Sequence, residues 1–359
     1  MSKMKTHNFS AGPSILPQSV ISSASKKVLE FDNELSILEI SHRSNAFTDV
    51  MSESISLVRD ILDVPTNYSI IFLQGGASLQ FCMVALNLLK KNNGSAAYLI
   101  TGTWSKKAIF EAKKFGEIEI VGDSSHKNFN YIPKDFKISD SHDYFHCTSN
   151  NTIYGSQIKT FPKCNVPVVC DMSSDIFSRK IDVNKFGLIY AGAQKNLGPA
   201  GATLVIVKDE ILGKSERDIP SMLDYRTHID KKSMFNTPPV FSVYVSMLNL
   251  RWLKSKGGLD YIEKNNNKKS KILYQEINRN SLFKTLINKE DQSKMNITFN
   301  LKDQNHKNLF EKICAKNKIS GINGHRAVGG YRASLYNALP IESVNALVNC
   351  MVKLEKDIA

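Results

Sequence analysis

Val168-Val169-Cys170-Asp171-Met172-Ser173-Ser174 is followed by Tyr190-Ala191-Gly192-Ala193-Gln194-Lys195-Asn196-Leu197-Gly198, and the two stretches share one shape. Each is an apolar run of strand character that ends abruptly in a charged residue and a turn. The carboxylate comes first and the amine follows 24 positions later (195 − 171). That order suits chemistry on pyridoxal 5′-phosphate, in which a lysine holds the cofactor as a Schiff base and an acidic side chain keeps the pyridine nitrogen protonated. Lysines are usually solvated surface groups, and aspartates at strand ends are usually turn residues. Lys195, however, lies among Ala191, Gly192, Ala193, Gly198, Ala200 and Gly201. Such small neighbours let a flat ring approach the backbone, and they partly bury the amine, which lowers its pKa and makes it a usable nucleophile.

Outward from these two strands the chain alternates strand and helix. Tyr68-Ser69-Ile70-Ile71-Phe72-Leu73 reads as a strand and leads into the turn Gln74-Gly75-Gly76-Ala77-Ser78. Leu79, Cys82, Met83, Leu86 and Leu89 then recur with helical spacing and predict one buried face. Residues 97–100 form the next strand, ending in Thr101-Gly102-Thr103-Trp104, with a basic amphipathic helix over about 105–115. Further strands are expected at 144–147, 166–170, 188–191 and 203–207. Strands alternating with helices imply βαβ units and a mostly parallel sheet. After Val240 the pattern changes to a helix over about 242–254 closed by Gly257-Gly258, a Lys/Asn-rich helical stretch and a strand at 295–299. That mixture predicts a smaller α+β domain beginning near residues 255–265.

A chain of 359 residues is long for one core, so two domains are expected. With 42% hydrophobic and 23% charged residues the composition is that of a soluble globular protein. The six cysteines contain no CxxC pair and several sit inside apolar runs, as reduced thiols of a cytosolic protein do. The opening MSKMKTHNFSAGPS has no apolar core of a signal peptide, and no stretch approaches a membrane span, so a cytoplasmic location without membrane association is expected. A net charge of +13 invites a nucleic-acid reading. The lysines are scattered instead, as in Lys90-Lys91-Asn92-Asn93, without an aromatic-interleaved stripe, so no nucleic-acid partner is expected. A spread basic surface can still draw in an anionic metabolite.

The remaining chemistry sits at turns. Gly75-Gly76-Ala77-Ser78 marks a strand-to-helix junction, where free backbone N–H groups and the helix dipole favour a phosphate, although a plain tight turn explains the glycines as well. Trp104, one of two tryptophans, falls at the carboxyl end of a strand, where it could stack on a flat ring or simply fill the core. Ser41-His42-Arg43 and Gly324-His325-Arg326-Ala327-Val328-Gly329-Gly330-Tyr331-Arg332 are basic clusters suited to carboxylate and phosphate. His142 and His146 suggest a metal only weakly, because strand alternation accounts for them, and no metal is expected.

Together these segments resemble the phosphoserine aminotransferases, fold-type I, class V transaminases. The motifs are collinear: Asn8-Phe9-Ser10-Ala11-Gly12-Pro13, Ser41-His42-Arg43, Gly75-Gly76-Ala77-Ser78, Ala191-Gly192-Ala193-Gln194-Lys195-Asn196, Phe235-Asn236-Thr237-Pro238-Pro239 and Gly324-His325-Arg326. The resemblance implies a fold-type I α/β architecture, with a large domain over 16–260 and a small one over 1–15 and 261–359. It also implies a homodimer with shared active sites. Lys195 is then the Schiff-base lysine and Asp171 the partner of the pyridine nitrogen. Trp104 would stack on the ring and Thr152 would bond its phenolic oxygen. Ala77, Ser78 and Gln194 would hold the phosphate with Asn236 and Thr237 of the partner subunit. Arg332 would bind the α-carboxylate, and His42, Arg43, His325 and Arg326 the distal phosphate or carboxylate. The implied reaction moves an amino group between glutamate and 3-phosphohydroxypyruvate, giving phosphoserine and 2-oxoglutarate, with a phosphorylated hydroxythreonine of pyridoxine biosynthesis as a second substrate.

Two positions depart from the family pattern: Ser78, where some members carry arginine, and Asn151, where glutamate is common. Both bear on substrate affinity. An alanine–glyoxylate type transaminase would not need the extra His/Arg pairs. A cysteine desulfurase needs a cysteine on a mobile loop, whereas Cys314 reads as helical.

Overall fold

The structure, a computed structural model, describes residues 6–326 and 328–358. In chain order it runs β1 (His7–Asn8), α1 (Gln18–Leu29), α2 (Asn45–Leu62), β2 (Tyr68–Leu73), α3 (Gly76–Leu88), β3 (Ser95–Ile100), α4 (Thr103–Ala112), β4 (Glu117–Asp123) and β5 (Tyr144–Thr148). Then come β6 (Val168–Asp171), β7 (Leu188–Gly192), β8 (Thr203–Lys208), α5 (Tyr225–Asp230), α6 (Val240–Ser255) and α7 (Gly258–Arg279). The last part holds β9 (Phe283–Thr285), β10 (Asn296–Leu301), α8 (Lys307–Lys316), β11 (Ile319–Ser320), β12 (Tyr331–Ser334) and α9 (Ile341–Ile358).

Seven strands form one sheet in the order β2-β8-β7-β6-β5-β3-β4. β4, β3, β5, β6 and β7 pair in parallel, and β8 alone lies antiparallel, between β2 and β7. The α/β class with a mostly parallel sheet is therefore as expected. Residues along each strand alternate between two apolar layers. Phe72, Cys170, Ile189 and Ile206 pack with Val58 of α2 and Leu250 of α6, while Ile71, Val169, Tyr190 and Val205 pack with Val84 of α3 and Ile109 of α4. Both faces are covered, which is why these strands read as unbroken apolar runs. The carboxyl ends of β3, β5, β6 and β7 share one edge, the usual ligand position in such sheets.

A third apolar cluster gathers Phe9 with Leu273, Phe299, Phe310, Tyr331 and Leu347. It underlies the antiparallel sheet β12-β10-β9, and β1 pairs in parallel with β11, His7 opposite Ile319. No helix among the described residues is long and apolar enough to cross a membrane.

Three local expectations are corrected. The stripe Leu79, Cys82, Met83, Leu86 and Leu89 is only partly buried: Met83 and Leu89 are covered, but Leu79, Cys82 and Leu86 are partly exposed while Gln80, Phe81, Val84, Asn87 and Leu88 are buried. α3 is apolar nearly all round, and polar tethers choose its face: Tyr225 Oη donates to Gln80 Oε1 at 2.6 Å and Asn87 Nδ2 to the Leu223 carbonyl at 2.7 Å. α4 begins at Thr103, so Trp104 belongs to the helix's first turn rather than to the preceding connection. β4 was not anticipated; it is an edge strand whose Glu117, Glu119 and Ile120 face solvent, without an apolar run to announce it. Gly257, at φ 100°, does end α6, and α7 starts at the next residue.

Candidate active site

Asp171 is the last residue of β6, and alternation from Val169 turns it to the α3/α4 face of the sheet. One strand over, β7 ends at Gly192, and the turn after it closes with the Lys195 and Gly198 amides both donating to the Ala193 carbonyl at 2.7 Å. The chain's beginning braces this turn. Ser14 N donates to the Gln194 carbonyl at 3.0 Å and Ser14 Oγ to the Lys195 carbonyl at 2.6 Å. Gly12 lies against the Lys195 side chain at φ 151°, a backbone conformation that suits glycine.

β2 leads through Gly75, at φ 85°, into α3, and a Cβ there would meet Leu79 at 2.5 Å. Only glycine makes this turn, which brings the N-terminus of α3, with Ala77 and Ser78, to the carboxyl edge of the sheet. β5 delivers Thr148 and then Thr152, and β12 delivers Arg332.

These residues meet in one cavity of about 300 Å³. Its walls hold nine of the anticipated residues, namely Ala77, Ser78, Trp104, Thr152, Asp171, Gln194, Lys195, His325 and Arg332. Lys195 Nζ donates to Thr152 Oγ1 at 2.7 Å, and Arg332 Nη1 donates to the Thr152 carbonyl at 3.2 Å. Burial pulls the Lys195 amine down to about 8, against the attraction of Asp171 and with help from the Arg332 charge. Burial pushes the Asp171 carboxyl up, offset by hydrogen bonds from Ser173, whose amide donates to Oδ1 at 2.9 Å. The pair is thus a reactive amine and an acid held apart from water.

Five anticipated residues lie elsewhere in this chain. Asn236 and Thr237 line a separate pocket with Leu79, Met83 and His228, where Gln74 Nε2 donates to the Thr237 carbonyl at 2.6 Å. His42 is buried with its Nε2 unpartnered among the described residues, Arg43 is exposed, and Arg326 is exposed on the turn beside His325; none of the three lines the cavity. Asn151 is also absent from the lining: its amide donates to Ser156 Oγ at 3.0 Å, behind the wall. His142 is tied to Ser95 and Glu119, and His146 to Tyr190. Cys314 lies within α8.

The sequence reading missed Thr148, Asn150, Ser173 and Ser174, which also line the cavity. Thr148 was within reach, since alternation from Tyr144 and His146 places it beside Asp171, its partner across the strands. Its Oγ1, Trp104 Nε1 and Arg332 Nε are buried polar atoms without a protein partner among the described residues. A polar ligand would satisfy them. An aldehyde-bearing, phosphorylated pyridine fits this set: an amine for the aldehyde, a carboxylate for the ring nitrogen, an indole beside the ring and a helix N-terminus for the phosphate.

The model of the class-V aminotransferase family matches residues 6–347. A phosphoserine aminotransferase of Flavobacterium psychrophilum is 59% identical over 357 residues, covering 99% of this chain and 100% of its own. Among solved structures, the phosphoserine aminotransferase of Bacillus circulans subsp. alkalophilus is similar at a TM-score of 0.96 and 40% identity, covering 99% of this chain and 100% of its own. A pyridoxal phosphate-bound phosphoserine aminotransferase of Trichomonas vaginalis gives 0.92 at 35% identity, over 97% and 100%.

Proposed function

Because the chain belongs to the class-V aminotransferases, we propose that it transfers an amino group between glutamate and 3-phosphohydroxypyruvate, giving O-phospho-L-serine and 2-oxoglutarate in serine biosynthesis. It is a transaminase dependent on pyridoxal 5′-phosphate. The observation that carries the reading is that Lys195 and Asp171 face one cavity from adjoining strand ends.

When bound, the cofactor supplies a protonated ring that accepts the electron pair left on the substrate's α-carbon. Lys195 would hold the cofactor through Nζ. The free Nζ, its pKa lowered by burial, would have a neutral fraction able to take the substrate's α-proton as general base. Asp171 would keep the proton on the ring nitrogen, which only an ionised carboxylate does well. Trp104 would cover the ring and Thr152, which already receives Lys195 Nζ, would bond its phenolic oxygen. Ala77, Ser78 and Gln194 would hold the phosphate. Arg332, fixed on Thr152, would orient the α-carboxylate.

Asn236, Thr237, His42 and Arg43 lie outside the cavity of their own chain, which is what a homodimer exchanging these residues between two sites requires. With His325 and Arg326 the pair His42 and Arg43 would read the distal anion. The same proposal takes 16–260 as the cofactor-binding domain and 1–15 with 261–359 as the smaller one, supported by the separate apolar cluster around Phe9. It further includes a cytoplasmic location, no nucleic-acid or membrane partner, and a phosphorylated hydroxythreonine as second substrate. Borohydride reduction of the purified holoprotein followed by peptide mass mapping should place the pyridoxyl group on Lys195. A label on any other lysine would sink the assignment.

A further inference from the structure

Lys107 has no part in the roles described so far. It lies in α4 one turn beyond Trp104, and its Nζ stands 5.0 Å from the centroid of the Trp104 ring, a wall of the Lys195 cavity. The side chain is exposed; burial, and after it the charges of Arg332, Arg326 and Lys107, hold the His325 imidazole below its ordinary value. Lys107 therefore stands within electrostatic reach of the cavity mouth.

Helix stability does not account for it. α4 runs Thr103–Ala112, and Lys107 lies outside both its first and its last turn, so the helix dipole gives it no stabilising role. Glu111, the i+4 neighbour placed to neutralise Lys107, is paired with Lys114 at 2.6 Å. The adjacent Lys106 is turned away, 5.0 Å over Phe129, toward a second cavity walled by Phe129, Tyr154 and Ile287. What remains is an ammonium on a flexible stem, held among the described residues by one ring contact of modest strength and near enough to His325 for its charge to act on the imidazole.

We propose that Lys107 is a specificity-determining residue that adds positive charge at the cavity mouth for the distal anion of the amino donor, favouring a phosphate dianion over a carboxylate. This deepens the proposed reaction and rests on it. One added cation attracts a dianion about twice as strongly as a monoanion at equal distance, so phosphoserine should depend on Lys107 more than glutamate does.

The test uses the holoenzyme and the variants Lys107→Gln and Lys107→Arg. Half-reaction kinetics give the apparent affinity for each donor, and calorimetric titration with inorganic phosphate reads anion binding without turnover. Lys107→Gln should weaken phosphoserine and inorganic phosphate by about twofold to fivefold, the size of one exposed charge contact. It should change glutamate by a smaller factor, leave the maximal rate unaltered, and flatten the salt dependence of phosphate binding. Lys107→Arg should behave as the wild type. Equal weakening of both donors, unchanged phosphate binding, or an arginine variant no better than glutamine would overturn the role. A wild-type protein that neither turns over phosphoserine nor binds phosphate in competition with glutamate would instead bring down the donor assignment itself.

Discussion

Asp171 and Lys195 each make the other's burial tolerable, and this gives their pairing a measurable sign. Lys195 is held near 8 by burial, while Asp171 pulls in the opposite direction. The neutral amine that captures an aldehyde should grow as pH rises through about 8 and level off above, and the rate of reconstitution of the apoprotein should follow it. In Asp171→Asn the attraction is lost, so the midpoint of that pH profile should move lower. The same variant should lose about 10²–10⁴-fold in turnover, the range for a group that manages a proton in the transition state, while keeping most of its cofactor. A midpoint that stays in place or rises would mean that Asp171 is a turn residue. The two anion sites separate in a similar way. Arg332→Ala should weaken glutamate and phosphoserine alike by about 1.5–3 kcal/mol, because both carry the α-carboxylate. Arg326→Ala should hurt phosphoserine more, the phosphate gaining more from each charge-assisted contact. Half-reaction titrations with the two donors distinguish these patterns.

Among the elements, α7 and the segment after β12 are joined by Lys269, which is fully buried without a carboxylate partner among the described residues. Its Nζ donates to the carbonyls of Leu335, Tyr336 and Leu339 at 2.9, 2.8 and 3.2 Å. Lys269→Met takes their donor from the buried carbonyls of Leu335 and Leu339, and one of two donors from that of Tyr336, which also accepts from the Leu339 amide; it should cost about 2–5 kcal/mol in urea denaturation. Burial lowers this lysine to about 7 in the folded chain, from an ordinary value of 10.5. Between those two values the unfolded chain carries a proton that the folded one lacks. This group therefore makes unfolding free energy rise with pH across that window, and the methionine variant should lose that part of the slope. The central strands were readable because an unbroken apolar run ending in Asp171 or in the Lys195 turn has few other meanings. β4 and the covered face of α3 were not, since solvent-facing glutamates and tethers from Tyr225 and Asn87 are decided by neighbours distant in sequence. Asp171, Lys195 and Trp104 were legible at strand ends, Ala77 and Ser78 at a glycine turn, and His325 and Arg332 in a glycine-rich loop, while Thr152 came only from the family resemblance; Thr148 and the Ser14 brace carried no charge or glycine signal to mark them.

Across the whole molecule, the proposed exchange of residues between subunits is testable by mixing. Lys195→Ala and Arg43→Ala should each be impaired alone. A mixed dimer then has one site with both defects and one with neither, so co-refolded protein should regain part of the wild-type activity. Mixtures no more active than the separate variants would place all the residues in one chain. The pairing of β1 with β11 sets another requirement. His7 and Asn8 find their strand partners only when Ile319 and Ser320 have followed, and Ser14 sits between that strand and the turn it braces. The β1 segment must therefore stay unpaired until a residue 312 positions further along (319 − 7) has been made. Bracing of the Lys195 turn by this segment is consequently opposed by the loop-closure entropy of joining two strands so far apart in sequence.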